Sequence, residues 1–169
     1  MGIDIAVNAF MESMECPATV MFSKIIALIF EPAILIVFSL IVASYIYIKS
    51  SKIKGILFGV AIIITGIIIF VTKELFRRGR PLNALIFESS FSFPSGHAIM
   101  GVVFFGLVVY LFVKKNHKVW GIVVASLLIL LIGLSRIYLR VHWFTDVLAG
   151  FVIGGIILVI CILFFRKIS

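Results

Sequence analysis

Two histidines, one aspartate and three cations stand out in this chain because each lies at the edge of a long apolar run. His142 is followed four residues later by Asp146. On a helix that spacing puts both side chains on one face. A carboxylate on one imidazole nitrogen fixes the tautomer and leaves the other nitrogen free to attack phosphorus. His97 supplies a second imidazole, suited to protonate a departing oxygen and then to activate water. Lys73 and Arg80 are seven residues apart, two helical turns, so both can point the same way, with Pro81 ending the segment. Arginine offers phosphate oxygens a planar fork of donors, and lysine a compact charge. Ser95-Gly96-His97 opens an apolar run, where free backbone N–H groups and the positive end of a helix dipole can hold an anion. Gly96 permits close approach, and the Ser95 hydroxyl can either cap the helix or donate to the anion. With Arg136 at the end of another apolar run, the set describes a phosphoryl cradle beside an imidazole nucleophile. Cations and backbone amides would stabilise the equatorial oxygens without a metal or other cofactor.

Elements that could position such a set must be membrane helices. Of 169 residues, 63% are hydrophobic and 13% charged, and the mean hydropathy is +1.32, whereas a soluble domain carries roughly a quarter charged residues. Five runs are long enough, or nearly so, for the roughly 20 helical residues that cross a bilayer: Pro32–Ile48, Gly55–Thr72, Ser95–Val113, Val119–Arg136 and Val147–Phe165. The expected fold is an all-α, integral-membrane bundle of about five transmembrane helices in a single domain, residues 1–169. Residues 32–169 form its catalytic bundle and residues 1–31 an interfacial segment. In that segment Asp4, Asn8, Glu12 and Glu15 fall at helical spacing, with Ile3, Val7, Phe10, Met11 and Met14 on the remaining surface. An amphipathic helix of this kind either lies in the membrane interface or packs across the bundle. A second short helix follows, up to Phe30.

Five spans put one set of charges on each side. One side receives Lys49, Lys52, Lys54, Lys114, Lys115, Lys118, Arg166 and Lys167; the other receives seven basic and all seven acidic residues. The positive-inside rule makes the first side, with the C-terminus, cytoplasmic, and turns the candidate site outward from a multi-pass protein of the cell membrane. Nucleic-acid binding is excluded as a function, because the eight cytoplasmic charges are scattered over three short segments. A metal site is excluded because Glu74, Glu88, Asp146 and the two histidines lack ligand spacing. Cys16 and Cys161 read as packing residues, and no secretory signal peptide is expected, since the first 23 residues hold no Lys or Arg. Arg77, Arg78 and Arg140 read as topology signals or headgroup anchors, His117 as a solvated loop residue. Trp120, Tyr138 and Trp143 suit an aromatic belt.

Three segments together resemble the signature motifs of the type 2 phosphatidic acid phosphatase (PAP2) superfamily: Lys73 through Arg80-Pro81, Pro94-Ser95-Gly96-His97, and Ser135-Arg136 through His142 to Asp146. The resemblance implies a metal-independent phosphatase reaction through a phosphohistidine on His142. It further implies His97 as acid/base and Asp146 as support for His142, with Lys73, Arg80, Ser95, Gly96 and Arg136 holding phosphate. Many members of that family have six spans, whereas five are counted here. The expected partners are a lipid phosphate or diphosphate substrate and membrane lipids; oligomeric state leaves no trace in the sequence. A polyprenyl (undecaprenyl-type) diphosphate is the first substrate expected, with phosphatidylglycerophosphate or phosphatidic acid second. A lipid-to-lipid phosphotransferase and a non-enzymatic membrane scaffold or transporter are the readings from other classes.

Overall fold

The computed structural model describes residues 2–168; Met1 and Ser169, the outer bounds of the expected domain, lie outside the described residues. Seven α-helices follow one another: α1 (Gly2–Ser13), α2 (Pro17–Ile29), α3 (Pro32–Lys49), α4 (Lys52–Phe76), α5 (Gly96–Phe112), α6 (Lys118–Tyr138) and α7 (Phe144–Ile168). No strand occurs among the described residues. That is what lipid demands of an open chain, since only a helix satisfies its backbone polar groups internally. Helices α3, α4, α6 and α7 are each long and apolar enough to cross a membrane, and the apolar α5 is shorter, at 17 residues. Helix α3 starts at Pro32, where proline costs nothing because a first-turn N–H has no helical partner.

Helix α5 is the axis of the bundle and packs against α3, α4, α6 and α7. A helix shielded on all sides has no polar face to offer, and apart from His97 its buried residues are Gly96, Ala98, Ile99, Met100, Gly101, Val103 and Leu107. Phe58 and Ile62 from α4, Leu35 from α3 and Ile157 from α7 complete that core. Outer faces carry exposed Ile63, Ile67, Phe70, Leu127 and Leu163, the surface a lipid solvent requires.

The packing of α7 on α5 sets the geometry of the site. A Cβ at Gly150 would meet Ala98 Cβ at 2.8 Å and Ser95 O at 2.9 Å; one at Gly154 would meet Val102 Cβ at 2.9 Å and Ile99 O at 3.0 Å. Two glycines four residues apart thus let the backbones approach closely, as small residues do between membrane helices. The two helices run parallel, so their N-termini lie side by side, and the Ser95 N–H donates to Asp146 O at 3.0 Å.

Of the two placements open to α1, the structure has it packed across the bundle. Its polar stripe faces the protein and its apolar residues face out: Asp4 is 3% exposed, while Ile3, Ile5, Phe10 and Met14 are exposed by more than half. Asn83 Nδ2 donates to Asn8 Oδ1 at 2.9 Å, and Arg140 reaches Glu15 at 2.6 Å. Val7 and Met11, at the edge of the stripe, pack on Ala98, Ile137 and Val147. The helix therefore packs across the bundle end and keeps an apolar outer face.

Candidate active site

All eight residues expected to do chemistry lie at the end of the bundle where α4 and α6 finish and α5 and α7 begin. Lys73 is in the last turn of α4 and Arg136 in the last turn of α6; Ser95 is the N-cap of α5, with Gly96 and His97 its first residues; Asp146 is in the first turn of α7. Arg80 and His142 sit on the connecting loops. Lys73 and Arg80 therefore do not share a helical face. Helix α4 ends at Phe76 because Arg77 takes the left-handed conformation (φ 44°), and Arg80 reaches the site from the loop. The two cations still converge, both donating to the Phe91 carbonyl and the Ser90 hydroxyl.

His142 and Asp146 do not share a helical face either. A second left-handed residue, Arg140 (φ 54°), turns the chain after α6, and α7 begins only at Phe144. His142 Nδ1 faces Asp146 Oδ2 at 3.6 Å, too long for a hydrogen bond, and has no other partner. Its Nε2 lies 3.3 Å from Arg80 Nη1, a group that also donates to Val141 O at 2.5 Å. The ring is 3% exposed. Burial first, then the charges of Arg80, Arg136 and Lys73, push its pKa well below the ordinary histidine range. At neutral pH the ring is uncharged, with a lone pair available on one nitrogen. A proton on Nδ1, facing Asp146, puts that lone pair on Nε2, among the cations.

The remaining donors point to an anion. Arg136 is 1% exposed and the Ser95 side chain is fully buried, yet Arg136 Nε and Ser95 Oγ have no hydrogen-bond partner. Ser95 occupies the N-cap position without making the side-chain cap, so of its two expected uses the hydroxyl remains available for a ligand. At Gly96 an added Cβ would meet Ile69 Cγ2 at 3.2 Å, a tight fit at the mouth of α5.

The sequence reading leaves unassigned the pairings of four acids and two arginines here. Glu88 pairs with Arg136 and lies 3.7 Å from Arg80 Nη2, so a carboxylate of the connecting loop stands on two cations of the cradle. Glu31 Oε2 lies 3.0 Å from His97 Nε2, a charge contact without hydrogen-bond alignment, and this contact holds the Glu31 carboxyl below the usual carboxylate range. Arg78 is no headgroup anchor: it bridges Asp146 Oδ1 at 2.5 Å and Asp4 Oδ2 at 2.7 Å. The other Asp146 oxygen accepts from the Trp143 N–H at 2.9 Å. Arg140 is likewise no anchor, being 3% exposed and paired with Glu15. Only Arg77, exposed and paired with Glu74, fits its expected place. One signal in the sequence could have found these partners: all seven acidic residues fall on the site's side, where charges near hydrocarbon need counter-charges. Among the described residues no group of three or more His, Cys, Asp or Glu gathers in a metal-ligating arrangement.

The model of the PAP2 superfamily matches residues 54–169. Over 90 residues the chain is 43% identical to phosphatidylglycerophosphatase B of Bacillus subtilis, covering 50% of this chain and 44% of that protein. Over 114 residues it is 29% identical to an undecaprenyl-diphosphatase of Sulfolobus acidocaldarius, covering 63% and 53%. The matches thus span about half the length of these curated relatives. Among solved structures, the PAP2-type phosphatidylglycerolphosphate phosphatase of Bacillus subtilis superposes with a TM-score of 0.92 at 28% identity, covering 98% of this chain and 86% of that one. LpxE of Aquifex aeolicus shares the fold, with a TM-score of 0.74 at 24% identity over 94% and 93%.

Proposed function

The chain belongs to the PAP2 superfamily, and on that premise we propose that it is a membrane phosphatase that removes a terminal phosphate from a lipid through a phosphohistidine on His142. One observation carries this reading: a buried histidine has one ring nitrogen 3.6 Å from a carboxylate and the other 3.3 Å from an arginine of a cationic cluster. In the first step His142 Nε2 attacks phosphorus, the P–N bond forms, and the bond from phosphorus to the lipid oxygen breaks. His97 gives that oxygen its proton. In the second step water attacks phosphorus while His97 takes its proton; the P–N bond breaks, its electron pair returns to His142 Nε2, and inorganic phosphate leaves. Lys73, Arg80, Arg136, Ser95 Oγ and the Gly96 N–H hold the three equatorial oxygens, where charge accumulates, and are worth most because they are fixed before the reaction begins. Asp146 stabilises the ring as it becomes positive. No step requires a metal or another cofactor.

The lipid is either a polyprenyl diphosphate or phosphatidylglycerophosphate. The diphosphate is the first expectation from the sequence; the name of the relative at 43% identity favours the glycerophospholipid. Both present a terminal phosphate at the interface with their tails in the membrane. The lysine-rich bundle end is assigned to the cytoplasm and the site to the opposite side. Phosphate release from both lipids by purified protein, with chelator present, tests the reading. The wild type releases phosphate and forms an acid-labile phosphoenzyme, and His142→Ala does neither. Unchanged release by His142→Ala would refute the nucleophile; phosphoenzyme without free phosphate would indicate transfer to an alcohol.

A further inference from the structure

We propose that Asp4, in the first turn of α1, is a positioning residue for the reaction at His142, acting through Arg78 and the start of α7. The inference rests on the reading of His142 as the nucleophile. Asp4 lies outside the residues that the family model matches and 138 positions before His142.

Asp4 is 3% exposed, and three donors hold its carboxylate. The Thr145 N–H donates to Oδ1 at 2.9 Å, the Thr145 hydroxyl to Oδ2 at 2.8 Å and Arg78 Nη2 to Oδ2 at 2.7 Å. Burial works against its charge, but these bonds outweigh burial and hold the carboxyl below its usual range. Thr145 is the second residue of α7, so Asp4 caps that helix from another helix, satisfying a first-turn N–H that has no helical partner. Arg78 then carries the effect onward, with Nη1 donating to Thr145 Oγ1 at 2.7 Å and to Asp146 Oδ1 at 2.5 Å.

One guanidinium is thus shared between two carboxylates. Asp4 draws part of its charge and fixes its plane, while Asp146 keeps its second oxygen toward His142. Without the Asp4 charge, Arg78 bears fully on Asp146, which then stabilises the developing charge on His142 less well. Docking of α1 alone does not require this arrangement. The middle of α1 and the turn after it are already held by Asn8 to Asn83 at 2.9 Å, by Glu15 to Arg140 at 2.6 Å, and by the Tyr138 hydroxyl to Met14 O at 2.9 Å.

The experiment measures kcat and KM for phosphate release by full-length Asp4→Asn, Asp4→Glu, Arg78→Gln, Glu15→Gln and the Asp4→Asn/Arg78→Gln pair, on the faster of the two lipids above. Asp4→Asn lowers kcat by about tenfold to a hundredfold, the scale of a small misplacement transmitted to the reacting groups, with KM within about twofold. Asp4→Glu restores part of that loss, and the double variant is no worse than Arg78→Gln alone. Glu15→Gln breaks a docking contact of similar size and leaves kcat within about twofold. Wild-type kcat in Asp4→Asn, a loss confined to KM, or an equal loss in Glu15→Gln overturns the inference. If Asp4→Asn does not accumulate as folded protein, Arg78→Gln decides, and wild-type kcat there is equally fatal. His142→Ala, run alongside, separates the two claims: full activity in that variant removes the nucleophile itself, whereas its inactivity beside a fully active Asp4→Asn removes only the role of Asp4.

Discussion

The two ends of this bundle carry similar numbers of basic residues and treat them in opposite ways. At the end formed by the α3–α4 and α5–α6 connections, Lys49, Lys52, Lys114, Lys115, Arg166 and Lys167 are exposed, and no carboxylate accompanies them among the described residues. At the other end Arg78, Arg80, Arg136 and Arg140 are drawn inward and meet Asp4, Glu15, Glu88 and Asp146. Exposed charges at a membrane surface cost little, are screened by salt and set topology. Charges withdrawn from water need partners, and a set fixed in place in this way can act on a substrate without reorganising. What separates the two ends is therefore burial and pairing, not the supply of charge.

Neutralising one cation at each end tests that contrast most sharply. Arg136→Gln removes a nearly fully buried charge from the cradle and lowers kcat/KM by about a hundredfold to a thousandfold. Lys115→Gln changes kcat/KM by less than about twofold, since it removes only a solvated charge. Both are read from steady-state phosphate release, and comparable losses would abolish the distinction.

Much of this architecture is legible in local sequence. The expected spans Pro32–Ile48 and Val119–Arg136 differ from α3 and α6 by at most two residues at either end, and Gly55–Thr72 and Val147–Phe165 fall within the longer α4 and α7. Hydropathy is a property of consecutive residues, which is why it locates spans. Pairings across long sequence gaps leave no such trace: Arg78 with Asp4, Glu31 with His97 and Arg140 with Glu15 each join residues more than 60 positions apart. A helical wheel located the polar stripe of α1 but not the side it faces, because that depends on cations delivered by distant loops. The left-handed turns at Arg77 and Arg140 were equally hidden, since glycine or asparagine is the usual residue there. They explain why Arg80 and His142 reach the same bundle end as the other six residues along loops, and not along helical faces.

Within the site, Glu88 marks where the contrast between the ends can be tuned. Its carboxylate engages Arg136 and Arg80, so an incoming phosphate competes for guanidinium groups that are already paired. Glu88→Gln removes the competitor, and inorganic phosphate then inhibits at a concentration about three- to tenfold lower. Weaker inhibition in that variant would mean that Glu88 helps to hold the cradle in shape.

The withdrawn charges also set the pH dependence. With the pKa of His142 pushed down by burial and by Arg80, Arg136 and Lys73, the ring stays neutral until the pH falls well below about 6.5, the ordinary value. Activity is lost only as the pH drops through that lowered value. Phosphoenzyme trapping across pH follows this acid limb, which moves upward, by about one unit or less, in Arg80→Gln. A limb already at the ordinary value in the wild type would mean that the cradle does not act on His142.

The smallest effect is expected from Lys118, a cation at the lysine-rich end that is partly withdrawn. Lys118 Nζ donates to Val109 O at 2.8 Å and Tyr110 O at 2.9 Å, and lies 5.4 Å from the Tyr110 ring centroid. These carbonyls belong to the last turn of α5, where a helix has no N–H groups left for them and its dipole end is negative. Lys118→Met keeps the aliphatic stem and removes the donor, costing about 0.3–1 kcal/mol and lowering Tm by about 1–3 °C. Because α5 is held along its length by α3, α4, α6 and α7, the loss stays at that end and kcat is unchanged. A fall in kcat would instead mean that the start of α5, which carries Ser95 and His97, depends on how its far end is held.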